Sequence, residues 1–135
     1  MKLTKASLLK KQQIIEGFGE DQESVYAEFQ YWSVRDKVVF PKQYKILYAD
    51  YTYEDYSGDA YVLGFDKEQN KFFEVHGSHC SCYALEGQWD PEYFANLEQL
   101  QSLCEKRFES RADSYYSRYA NSSVEFEGWL TGDVA

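Results

Sequence analysis

Polar and apolar residues alternate with a period of two between residues 45 and 76, and recur with a helical period on both sides of that stretch. In residues 45–54, Leu47, Ala49, Tyr51 and Tyr53 share one face, against Asp50, Thr52 and Glu54 on the other. Asp55-Tyr56-Ser57-Gly58 supplies turn chemistry, and 59–66 resumes the alternation with Tyr61, Leu63 and Phe65. Lys67-Glu68-Gln69-Asn70 makes a second turn, after which Phe73 and Val75 point inward and Phe72, Glu74 and His76 point the other way. The pattern predicts an antiparallel three-stranded meander whose strands turn one common face to the core.

The flanks read as helices. Residues 4–16 predict a first helix, capped by Thr4 or Ser7 and ended by Gly17 and Gly19, with Leu8 and Ile15 on one face. Its lysines, Lys5, Lys10 and Lys11, fit a solvated face. A second helix starts at Asp21 with Glu23 in its first turn, and Val25, Phe29 and Trp32 form its apolar stripe until Pro41 closes the region. Beyond the strands, Asp90-Pro91-Glu92 has the form of a helix start. Phe94, Leu97, Leu100, Cys104 and Phe108, then Ala112, Tyr115, Tyr116 and Tyr119, keep a helical period. Residues 124–130 alternate as a short edge strand or an ordered arm would. The expected architecture is a single α+β domain over 1–135. It has a helical N-terminal region (1–40), a three- to four-stranded antiparallel meander, and a long C-terminal helical region packed on one sheet face.

Composition adds to this. With 135 residues the chain can bury a core without disulfides. Thirteen tyrosines fit an aromatic core and rim, with rings packed and hydroxyls wet. A net charge of −9, from 23 acids and 14 bases, argues against direct nucleic-acid binding and favours a basic partner. No run of eighteen apolar residues predicts a membrane span, and the first residues lack a signal peptide's apolar core. Three cysteines, an odd count, fit a reducing cytoplasm.

Candidate chemistry concentrates between His76 and Trp89, which hold both histidines and two of the three cysteines. His76, His79, Cys80 and Cys82 are all zinc-ligand types, although structural zinc sites usually draw ligand pairs from two separate places. If the strand runs on, His79 faces away from His76, Cys80 and Cys82. A cysteine nucleophile would need a histidine within hydrogen-bond reach and a positive surrounding, and the neighbouring acids oppose the second. The third reading is a structural crossover: small residues turn the chain, Tyr83, Leu85 and Trp89 pin it to the core, and Glu86 and Gln88 bond local backbone groups.

The string Gly77-Ser78-His79-Cys80-Ser81-Cys82-Tyr83-Ala84-Leu85-Glu86-Gly87-Gln88-Trp89-Asp90-Pro91-Glu92 resembles a segment of a family of small bacteriophage and bacterial proteins. There a similar meander precedes a His-Cys-Ser-Cys-Tyr-x-Leu-Glu-Gly-Gln-Trp-x-Pro-Glu motif, and the resemblance spans roughly residues 44–108. It implies an origin, a phage or prophage accessory protein working in a host cytoplasm, and brings no activity with it. The leading expectation is therefore a non-enzymatic accessory protein that binds another protein. In its phage form this would be an inhibitor of a host defence system, of anti-CRISPR or anti-restriction type, whose carboxylates imitate nucleic-acid phosphates. Asp50, Tyr53, Glu54, Asp55, Tyr56 and Asp59 are the expected contacts. The rivals are a zinc-binding or cysteine-dependent enzyme built on His76, His79, Cys80 and Cys82, and an assembly factor whose exposed aromatics make a homodimer.

Overall fold

The computed structural model describes residues 4–31, 33–54, 57–80, 84–100, 102 and 129. The chain divides into two compact units, one of residues 1–12 with 94–135 and one of residues 13–93.

In the first unit, helix α1 (Lys5–Lys10) starts from a reciprocal cap: the Ser7 N–H donates to Thr4 Oγ1 at 3.1 Å, and the Thr4 N–H donates to Ser7 Oγ at 3.2 Å. Leu8 is its buried residue. Another helical segment opens at residue 97, where Asn96 Oδ1 accepts the Gln99 N–H at 2.8 Å and Leu100 is buried. The Trp129 indole N–H donates to the Gln12 carbonyl at 2.6 Å, with the Lys11 ammonium 5.8 Å from the Trp129 ring centre.

The second unit is built on a five-stranded sheet in sequence order: β1 (Ile14–Glu16), β2 (Tyr44–Glu54), β3 (Ser57–Asp66), β4 (Lys71–His79) and β5 (Glu92–Tyr93). Between β1 and β2 lie helix α2 (Gln22–Glu28) and a 3₁₀ turn at Arg35–Lys37. α2 starts where expected, with Asp21 Oδ1 accepting the Ser24 N–H at 2.9 Å and hydroxyl at 2.7 Å. Those two bonds, the hydroxyl's first, hold the Asp21 carboxyl below its ordinary pKa. Val25 and Phe29 face inward and join Ile46, Ala49, Val62, Phe73, Val75 and Leu85 in one core.

This sheet corrects the expected architecture. It has five strands rather than three or four, and its first strand runs parallel to β2, pairing Ile14, Ile15 and Glu16 with Tyr48, Ala49 and Asp50. The first helix stops at Lys10 instead of continuing to residue 16, because two β-branched isoleucines pair with β2 and the Gln13 amide donates to the Ile46 carbonyl at 2.7 Å. At the other end Glu92–Tyr93 pairs with Phe73–Glu74, so the expected helix start at Asp90-Pro91 is an edge strand's approach, and Asn96 is the cap. The long helical region expected from Asp90 onward therefore does not start there; residues 103–128, where most of it is expected, and Trp32 lie outside the described residues.

The faces differ as well. A bulge between Ile46 and Tyr48 takes Leu47 out of the alternation, so Ile46, Ala49 and Tyr51 share a face with Ala60, Val62, Phe73 and Val75. Tyr61, Leu63 and Phe65, expected on that face, lie on the opposite one with Tyr48 and Phe72, and are buried there too. From Ala60 to Asp66, β3 is thus buried on both sides. Where β3 turns into β4, buried Asp66 accepts the backbone N–H of Glu68 and Gln69 through one oxygen and the Tyr93 hydroxyl at 2.7 Å through the other. Burial, and then this bond to Asp66, push the Tyr93 phenol well above its ordinary pKa.

Candidate functional site

Three strands align Tyr53, Gly58 and His79 in one row across the sheet, at the end where β2 passes into β3. Gly58 leaves a gap in the middle of the row: a Cβ there would strike His79 Nε2 and come within 2.8 Å of Tyr51 Cε1. Through that gap the Tyr51 hydroxyl reaches His79 Nε2. His79 Nδ1 lies 2.8 Å from the Cys80 carbonyl, an acceptor only, so Nδ1 carries the proton and Nε2 accepts from Tyr51. Phe18 packs on the far side of Tyr51, with ring centres 5.3 Å apart, and Tyr53 rests on the His79 ring, also at 5.3 Å. His79 is buried, while Tyr53 keeps 61% of its surface exposed. The result is a rigid aromatic base with one wet tyrosine at its rim.

The opposite face carries another polar group. Glu74, nearly fully buried, accepts the Tyr61 hydroxyl at 3.1 Å through Oε2, and His76 Nε2 stands 3.3 Å from its Oε1. Since β4 continues to His79, the two histidines point to opposite sides of the sheet. Cys80 is exposed and not in a disulfide, and both ring nitrogens of His79 are already engaged, so this histidine does not stand as a base for it. Among the described residues no group of three or more His, Cys, Asp or Glu side chains is placed to hold a metal ion. Cys82 lies outside them.

The expected contact residues whose side chains are described, Asp50, Tyr53 and Asp59, do not share one face. Asp50 is 8% exposed in a row with Tyr61 and His76, so it is not available to a partner and leaves the set. Asp59, half-buried opposite Thr52, is on the face away from Tyr53. The Glu54 side chain, Asp55 and Tyr56 lie outside the described residues. What remains at the hairpin end is Tyr53 on its aromatic base, which sequence reasoning placed only as one contact among six. Tyr51 and Gly58 were missed as its supports; the available signal was a glycine inside a tyrosine-rich strand.

The segment after β4 closes over the core on the face that carries His79. Leu85 is fully buried and packs over Gly77, and Trp89 sits among Tyr26, Phe29, Tyr44 and Phe73 at ring distances of 5.0–5.9 Å. Glu86 accepts the Ala84 N–H at 2.9 Å, and the Gln88 amide accepts the Ser78 N–H at 2.9 Å while donating to the Ala84 carbonyl at 3.1 Å. Tyr83 lies outside the described residues.

Cations are sorted along the sheet. No lysine or arginine occurs between Ile46 and Asp66, whereas Lys42, Lys45, Lys67 and Lys71 gather at the other end, beside the β3–β4 turn. No helix among the described residues is long and apolar enough to cross a membrane. No protein-family model, curated protein or solved structure matches the chain.

Proposed function

We propose that this chain is a small acidic accessory protein that acts by binding another protein, and that it makes contact with the end of the sheet where β2 passes into β3. The observation that carries this reading is the sorting of cations: the stretch from Ile46 to Asp66 holds acids and no cation, with the Tyr53 ring exposed within it. A negative field draws a basic surface toward that end and repels it from the lysine-bearing one. An exposed tyrosine adds a face on which an arginine or lysine can stack. Tyr53 is already fixed by His79 and Tyr51, so little side-chain freedom remains to be lost on binding.

The motif's resemblance to phage proteins supports a more specific version. The partner is a nucleic-acid-binding protein of a host defence system, of CRISPR or restriction type, and the acidic end lies in its basic groove in place of phosphates. The test captures partners from the host cytoplasm on immobilised full-length chain and challenges the complex with salt and with duplex DNA. The reading expects a steep loss of capture with rising salt, displacement by DNA, and weaker capture by Tyr53→Ala. Capture that is insensitive to salt and DNA, and equal for Tyr53→Ala, would refute it.

A further inference from the structure

Among the described residues, β1 covers only part of the outer edge of β2. β1 pairs with Tyr48, Ala49 and Asp50, and Gly17, at φ 81°, then turns the chain away at the point where the Tyr51 carbonyl faces it. Among the described residues no strand lies beside Thr52, Tyr53 and Glu54 on that side. Backbone groups of alternate residues point to the same side of a strand, so the N–H and C=O of Tyr53 point outward, as the Tyr51 carbonyl does. Proteins usually blunt such an edge with proline, lysine or a bulge. Here the bulge lies well before it, and neither proline nor lysine occurs from Ile46 to Asp66.

We infer that this uncovered edge is a docking edge: an extended, lysine- or arginine-bearing segment of the partner adds to the sheet beside Tyr53 as a short extra strand. The inference rests on the protein-binding reading above and specifies its geometry. Charge complementarity names the occupant, because the stretch Ile46–Asp66, which includes this edge, holds five acids and no lysine or arginine in sequence. Main-chain bonds to Tyr53 would supply register, and alternate side chains of the added strand would project over the Tyr53 ring, where a cation is favoured. The Tyr51–His79 contact across Gly58 ties β2 to β4 at this end, next to the edge.

The test uses isotope-labelled full-length protein and two synthetic peptides of equal charge. One alternates lysine with valine and can form a strand; the other alternates lysine with proline and cannot. Addition of a strand predicts that the lysine–valine peptide slows hydrogen exchange at the Tyr53 amide by about tenfold or more, and that the lysine–proline peptide does not. It also predicts binding to Tyr53→Ala, which keeps the N–H, at least severalfold tighter than to Tyr53→Pro, which lacks it.

If both peptides bind alike and the Tyr53 amide is unaffected, the acidic end attracts cations but no strand adds. The inference then falls while the binding function stands. If neither peptide perturbs the hairpin end, the inference also falls, and the capture experiment decides the function separately. Slowing that depends on protein concentration without peptide would mean that a second copy takes the edge, which overturns the basic-segment assignment. The exchange measurement is made on the unaltered chain, so it stands even if Tyr53→Pro fails to fold.

Discussion

Two glycines with the same backbone conformation but different neighbours give a direct test of how β1 is held. Gly17 and Gly87 have φ of 81° and 75°, so alanine at either site meets the left-handed cost of about 1–2 kcal/mol. What a Cβ would touch separates them. At Gly87 it meets the Tyr31 hydroxyl at 2.7 Å, the far end of a ring that is 63% exposed and free to swing aside. At Gly17 it overlaps the Tyr51 carbonyl oxygen and lies 2.8 Å from the carbonyl carbon, and this is strand backbone that cannot yield alone. Overpacking of that kind adds about 1–3 kcal/mol. Gly87→Ala is therefore expected to cost about 1 kcal/mol and Gly17→Ala about 3 kcal/mol, a sizeable part of the stability of an ordinary domain. Equilibrium urea unfolding under reducing conditions, followed by fluorescence and circular dichroism together, measures both, provided that the two probes coincide and the slopes match the parent's. Costs equal to within about 0.5 kcal/mol would refute the close approach of Gly17 to β2.

Three further outcomes are expected. Leu85→Ala should cost about 3 kcal/mol by urea unfolding, because its fully buried side chain fills the space over Gly77; a cost below about 1 kcal/mol would mean that the closing segment is not packed on the core. Tyr51→Phe removes the donor to His79 Nε2 and should cost about 1–3 kcal/mol, whereas a neutral result would dissolve the pair under Gly58. The Tyr93 phenol ionises at higher pH when folded than when unfolded, so its stabilisation is complete below about pH 10 and is lost as the pH rises further. Stability should therefore fall on the alkaline side, and Tyr93→Phe should be less stable near neutrality yet fall less steeply above pH ~10; identical alkaline slopes would refute the raised phenol.

The three long strands were legible because their turns carry turn chemistry and their aromatics alternate. Which way each strand faced was not. Leu47 is buried like its neighbours, so nothing in the sequence marks it as the bulged residue that resets the alternation. In β3 every residue from Ala60 to Asp66 is buried, so no exposed polar position remains to show which side faces water. β1 and β5 were hidden for a different reason. Ile15 falls seven residues after Leu8, and Asp90-Pro91-Glu92 has a helix-start form, so local preference pointed to helix; strand partners distant in sequence overrode it. At the site, two histidines three residues apart looked like a cluster only until β4 carried them to opposite faces. The pairing of Tyr51 with His79 depends on Gly58 in the strand between them, a relation that only the register reveals.

The burial of β3 on both sides has a consequence for the chain before it finishes folding. Ala60-Tyr61-Val62-Leu63-Gly64-Phe65 is an apolar run, with the strand formers Tyr61, Val62 and Phe65 and without charge or proline, of the kind that stacks into fibrils when left uncovered. Its safeguards are Asp59 and Asp66 at its ends and a neighbouring strand on each side. Partial opening of the β2–β3–β4 ribbon, rather than full unfolding, is thus the state from which this protein is expected to aggregate, and substitutions that loosen the ribbon should lower its solubility before they lower its helix content.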